Sequence, residues 1–369
     1  MAVASRLEVL PVPGLPEVCD GDDLAALVAA ALTGPDSPGL RPGDVLVVSS
    51  KLVSKSAGLR DHRPERESVV ADQSVRVVAE RAVVAEDGTV RATRIVEAVA
   101  GPVMAAAGVD ASNTGPAGGH LLLPADPDAA AQELLGALLT AIGAPADAPI
   151  GVVLSDTAGR PWRGGVTDFA LGAAGVTMID DLRGGVDVDG RALHVTLRGV
   201  GDEIAAAADL VKGKATGIGA VVVRGSDLAV GVAGDHHDRP RPGAADLVRT
   251  GPSDWFRTGD REAVRAALGI PPGSAASAAV GLAPTAPEPV SATVVRAVRA
   301  ALHTLADEIG DLADTVGVDL DDTEVLVGST DPYVLGLAAA RVCIALRGER
   351  LAAQAPERRS ATQVRIALT

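Results

Sequence analysis

Short apolar runs alternate along the chain with stretches in which apolar residues recur every three or four positions, which predicts an α/β (mixed α+β) fold. Leu7–Pro11 predicts a strand and Asp23–Thr33 an Ala-rich helix. Asp44–Ser49 (DVLVVS) predicts a buried strand between the turn signal Pro42-Gly43 and the polar Ser49-Ser50-Lys51. Ile150–Ser155 and Ala220–Arg224 predict two more, and His194–Arg198 alternates as a half-buried strand would. Asp202–Val211 predicts a helix with an acidic start, stopped by Gly213. Further on, Val294, Val298, Leu302, Leu305 and Ile309 keep helical spacing and predict one amphipathic helix. Glu324–Gly328 and Gln363–Leu368 predict strands on either side of a helix at Pro332–Leu346. Between these regions, from Gly269 to Ser291, Pro, Ala, Gly and Ser dominate and predict a linker. The expected organisation is therefore a main domain over 1–256, a helix and Pro/Ala-rich linker over 257–291, and a small α/β domain over 292–369. No internal repeat is visible.

Composition narrows the partners. Hydrophobic residues make up 47% of the 369 but aromatics only 1%, so the core must be built from Ala, Val, Leu and Ile. The formal net charge is −15 and no Lys/Arg-rich run interrupts it, which argues against nucleic acid, whose phosphates demand clustered positive charge. The two cysteines, Cys19 and Cys343, lie far apart with no metal-type spacing. No apolar run is long enough to span a membrane and no secretory leader opens the chain, so a cytoplasmic protein without a membrane partner is expected.

Four polar patches follow apolar strands, where α/β sheets place ligands. Pro11–Val18 (PVPGLPEV) is, taken alone, an ordinary strand-to-helix connection. Ser49–Ser56 carries Lys51 and Lys55 four apart among hydroxyls; this suits phosphate oxygens, and equally a solvated helix face. Ala107–Asn113 offers Asp110 and Asn113, which fit either an Asx turn or a hard-cation site. The fourth, Ser155–Asp168 (SDTAGRPWRGGVTD), is the richest: a strand ends in Asp156-Thr157, a Gly-rich loop follows with Arg160 and Arg163, and Trp162 and Phe169 stand ready to pack that loop down. Asp-x-x-Gly strings also occur in P-loop GTPases. However, the chain has no Gly-x-x-x-x-Gly-Lys-Ser/Thr and no Asn-Lys-x-Asp. A dinucleotide fingerprint, a His-Glu-x-x-His and a nucleophile elbow are missing as well. His236-His237 reads as a surface loop.

In order, Leu15-Pro16-Glu17, Val48–Lys55 (VSSKLVSK), Ala107–Asn113 (AGVDASN), Ser155–Asp168, Ala205–Lys214 (AAAADLVKGK) and Val221–Gly225 resemble the coenzyme F-420-0:L-glutamate ligase family, over roughly two-thirds of the chain. The resemblance implies an F-420 gamma-glutamyl ligase-like fold. It also implies a homodimer that uses GTP and Mg²⁺ or Mn²⁺, with K⁺ as a further candidate ion, to join one or more γ-linked glutamates to coenzyme F-420-0. By resemblance Asp110, Asp156 and Thr157 hold the metal. Leu15, Pro16, Glu17 and Val18, with Ser50, Lys51, Lys55, Asn113, Gly213 and Lys214, surround GTP. Asp110, Asp156, Arg160 and Arg163 serve catalysis. Longer members carry a C-terminal flavin domain that the region after Ser291 does not resemble, so no flavin is expected. The competing expectations are an inactive GTP- or metal-binding interaction module, and an amide ligase for another carboxylate.

Overall fold

The computed structural model describes residues 6–85, 87–214, 216–226, 228 and 243–368; His236 and His237 lie outside the described residues. The chain divides into two compact units. One holds the residues up to Ser74 with Glu97–Ser253, the other Val75–Val96 with Asp254 onward. Residues 75–96 thus belong to the second unit although the chain on either side of them belongs to the first.

The first unit is built from β1 (Glu8–Pro11), α1 (Leu24–Leu32), β2 (Val45–Ser49), α2 (Ser50–Ser56), α3 (Pro127–Ala141), β3 (Gly151–Arg160), β4 (Arg163–Ala174), α4 (Val200–Lys212) and β5 (Ala220–Arg224). Its five-stranded sheet runs β1-β5-β2-β3-β4. β2 and β3 are parallel and the other neighbours antiparallel. The continuous apolar runs of the central strands reflect cover on both faces. Leu46, Val48, Val152, Leu154 and Val222 pack against α1 and α3. Val45, Val47, Val153, Val221 and Val223 pack against α4, through Ile204, Ala205 and Ala208. Burying each such Val or Leu contributes about 1.5–3 kcal/mol. Asp23 starts α1 by accepting Ala26 N–H, and Asp126 starts α3 with Pro127 behind it. The buried Asp44 grips Arg224 with both oxygens, at 2.9 and 2.7 Å, tying the start of β2 to the end of β5.

β4 lies at the sheet edge, yet two of its amides are taken by carboxylates. Ala170 N–H donates to Asp202 Oδ1 at 3.0 Å and Ala173 N–H to Asp128 Oδ1 at 2.7 Å. The Gly-rich stretch expected as a loop is instead the tip of the β3–β4 hairpin, in which Asp156 faces Phe169, Thr157 faces Asp168 and Arg160 faces Arg163. Trp162, expected to pack that segment down, is 85% exposed. The strand expected over 194–198 shrinks to Leu197–Arg198, paired with Asp180–Asp181. Its alternation finds no core: Val195 and Leu197 are exposed.

In the second unit a four-stranded antiparallel sheet orders Gly317–Leu320, Glu324–Gly328, Gln363–Ala367 and Glu357–Arg358. Helices Val290–Leu302 and Pro332–Gly348 cover it with Val294, Ala301, Leu335, Val342 and Leu346. The single helix expected through residue 309 breaks at Thr304, whose hydroxyl donates to Leu268 O and accepts from Arg341. The expected linker is ordered around helix Ala275–Val280, capped by Ser274, with Ile270 and Val280 buried. Glu349, nearly inaccessible, is held by Arg261, Arg265 and Arg296. Among the described residues no helix is long and apolar enough to cross a membrane.

Candidate active site

β2 ends at Ser49, in register with Ser155 of β3, and where their pairing stops lies a cavity of about 620 Å³. Such strand ends are where open α/β sheets bind ligands. α2 starts directly after Ser49, and its Lys51 and Lys55, one turn apart, both reach the cavity wall. Lys55, almost buried, pairs with Glu17 of the 15–18 loop at 2.5 Å. Lys51 pairs with Asp110 at 2.7 Å and reaches the carbonyl and hydroxyl of Ser112 at 3.1 Å. The 114–118 segment is pinned by Arg60, which donates to Thr114 O and Gly118 O. At Gly115, with φ +75°, a Cβ would lie 2.4 Å from Glu17 Oε1, so only glycine lets this segment close on the Glu17–Lys55 pair.

Alternation along β3 sends Ser155 and Thr157 toward α4 and Asp156 to the other side. On the α4 side, the buried Asp168 gathers three donors. Ser155 Oγ donates at 2.9 Å, Thr157 Oγ1 at 2.7 Å and Lys212 Nζ at 2.5 Å. Burial pushes the Asp168 carboxyl up, but the Lys212 charge and these hydrogen bonds outweigh it and hold the group below its ordinary value. α4 ends at Gly213, whose φ +56° and ψ 178° belong to glycine alone. That bend returns Lys214 to the strand, where Nζ donates to Thr157 Oγ1 at 2.9 Å.

Asp156 is different. Burial pushes its carboxyl up to about 6 against a hydrogen bond from Thr157 N–H, with the Asp168 and Asp110 charges adding to the rise and Lys51 opposing it. Glu17, Asp110 and Asp168 each have a lysine partner; among the described residues Asp156 makes no salt bridge. A recessed carboxylate near a second one, without an ammonium of its own, is a fitting donor for Mg²⁺ or Mn²⁺. Asp110 is engaged by Lys51 and Ser112, and Thr157 by Asp168 and Lys214.

The sequence matches F420-0:gamma-glutamyl ligase over residues 14–225. The chain belongs to that family. A protein of Archaeoglobus fulgidus named coenzyme F420:L-glutamate ligase is 40% identical over 234 residues, covering 61% of this chain and 90% of the relative. Proteins of the same name from Methanopyrus kandleri and Halorubrum lacusprofundi are 37% and 38% identical, each covering 68% of this chain and 98% of the relative. Every residue of the cavity wall lies inside the span matched to the ligase family.

Of the residues expected in this family's site, Leu15, Pro16, Glu17, Val18, Lys51, Lys55, Asn113, Asp156, Thr157, Gly213 and Lys214 line the cavity. Asp110 stands just behind Lys51. Ser50 does not line it: the residue is buried and its hydroxyl makes no hydrogen bond. Arg160 and Arg163 also fall outside, because the hairpin carries them to an exposed tip. Ser155 and Asp168, expected only as part of the fourth patch, and Lys212, expected only as part of the Lys212–Lys214 turn near nucleotide and metal, form the most buried polar cluster of the site. Their sequence signal was slight: polar residues at the end of an apolar strand, within a polar run and at the last position of a helix.

Proposed function

We propose that this chain joins L-glutamate to coenzyme F-420-0 through an amide, to which further γ-linked glutamates can be added, with GTP as the energy source and Mg²⁺ or Mn²⁺ bound at Asp156 and Asp110. The observation that carries this reading is the strand-end cavity, in which four lysines (51, 55, 212 and 214) share the wall with the recessed carboxyl of Asp156, inside the span matched to the ligase family. A carboxylate is a poor acceptor for an amine. It first attacks the γ-phosphorus of GTP, forming an acyl phosphate and releasing GDP; the glutamate amine then attacks the acyl carbon, and the amide forms as phosphate leaves. Transfer of this kind asks mainly for positioning and neutralisation of charge. The divalent ion supplies part of that neutralisation when bound. Lys51 and Lys55 lie one turn apart, spaced to follow successive phosphates, and Lys214 approaches from the opposite wall. The 15–18 loop, with Asn113, closes the nucleotide end. No covalent enzyme nucleophile is required. The resemblance further supports a homodimer, which light scattering on the purified protein tests.

The test of function is direct. The protein, incubated with F-420-0, L-glutamate, GTP and MnCl₂, gives a product one glutamyl residue heavier, with one GDP formed per residue added. GDP release with no change in the deazaflavin's mass refutes the reading.

A further inference from the structure

The resemblance puts a divalent ion on Thr157; the geometry gives that hydroxyl to an ammonium instead. We infer that Lys214, with Lys212 behind it, fills the cationic position on the Thr157 side of the cavity, so that this chain takes a single divalent ion per site, on the Asp156 side. The inference rests on the ligase reading and adds a metal count to it.

A threonine hydroxyl has one proton and two lone pairs. The proton of Thr157 goes to Asp168 Oδ1, and Lys214 donates to Thr157 Oγ1 itself. An ion coordinated by Thr157 would lie beside the Lys214 ammonium and be repelled by it. The carboxylate that could offset that repulsion is already committed: Asp168 Oδ1 accepts from Thr157, and Oδ2 from Ser155 and the buried Lys212. Asp168 thus balances Lys212, leaving the Lys214 charge to face the cavity. The arrangement is built in by the backbone. α4 delivers Lys212 to the strand, and the glycine-only turn at Gly213 brings Lys214 beside it.

Titration with Mn²⁺ in the presence of guanosine 5′-(β,γ-imido)triphosphate, followed by electron paramagnetic resonance, reads the count without turnover. One ion per chain is expected. In Lys214→Ala, nucleotide affinity at micromolar Mn²⁺ drops about tenfold, the loss of one charged contact, and millimolar Mn²⁺ restores most of it as a second ion enters the vacated position. Two ions in the unaltered protein, or a Lys214→Ala loss that millimolar Mn²⁺ leaves unchanged, overturns the inference. A chain that binds two ions and still adds glutamate to F-420-0 overturns this inference alone; one that binds no Mn²⁺–nucleotide overturns it together with the ligase reading.

Discussion

Replacing Lys212 by Met tests how the catalytic corner is held. Lys212 and Asp168 are 6% and 3% exposed at the side chain, and Nζ sits 2.5 Å from Oδ2. The methionine fills the aliphatic volume but leaves a buried carboxylate with only the Ser155 and Thr157 hydroxyls as donors. Removing one member of a buried pair costs about 3–5 kcal/mol, a large share of the 5–15 kcal/mol that holds a typical domain together. The loss is pH-dependent, and its sign follows from the carboxyl. In the unaltered protein Asp168 titrates below its ordinary 3.8, so the pair stabilises the fold above about pH 4 and fades below it. Without Lys212, burial dominates and the carboxyl titrates above 3.8; the variant then loses stability as pH rises through that new value. The gap between the two proteins is therefore widest near pH 8 and narrows toward pH 5. Hydrogen exchange at the amides of Val152, Val153 and Leu154, deep in β3, measures it within the unit concerned. A gap under about 1 kcal/mol, or one equal at both pH values, refutes the reasoning. Adding Asp168→Leu to Lys212→Met is expected to regain most of the lost stability, because the orphaned charge is gone.

Asp156→Asn is expected to abolish glutamate addition while the fold survives, as mass spectrometry of the products and circular dichroism will report. Because the folded Asp156 carboxyl titrates at about 6, above its ordinary 3.8, its ionisation lowers stability as pH rises between those values, and urea titrations of Asp156→Asn should show that slope flattened. Asp44→Ala removes the carboxylate that holds Arg224 and caps Arg41 N–H, and is expected to cost about 2–4 kcal/mol by urea denaturation, with Arg224→Lys costing about 1. In the second unit, Glu349→Gln leaves Arg261, Arg265 and Arg296 crowded around a neutral amide, and about 3–5 kcal/mol of protection should vanish from the amides of Val325 and Val327.

The parts of the fold legible in the sequence are those where local chemistry and tertiary packing agree. The DVLVVS and AVVVR runs are apolar at every position between their polar ends because both faces of β2 and β5 are covered, and Asp23 and Gly213 mark real helix ends. Lys51 and Lys55 were legible because helical spacing alone puts them on one side of α2. The hairpin was not. Gly159, Gly164 and Gly165 read as a loop, and only pairing of β3 with β4 turns them into strand while carrying Arg160 and Arg163 away from the cavity. The Ser155–Asp168–Lys212 cluster joins residues up to 57 positions apart, a closeness set by how α4 lies on the sheet. His194–Arg198 shows the converse: a strand-like alternation with nothing to bury it keeps only Leu197–Arg198 as strand.

The two aspartates standing along β4 also decide how this sheet meets its surroundings. A strand arriving from another chain would look for free amides on that margin; at Ala170 and Ala173 it meets carboxylates already seated, whose removal would strand negative charge against the newcomer's carbonyls. At these two positions sheet growth would first have to displace a carboxylate, so this stretch of the border resists strand addition.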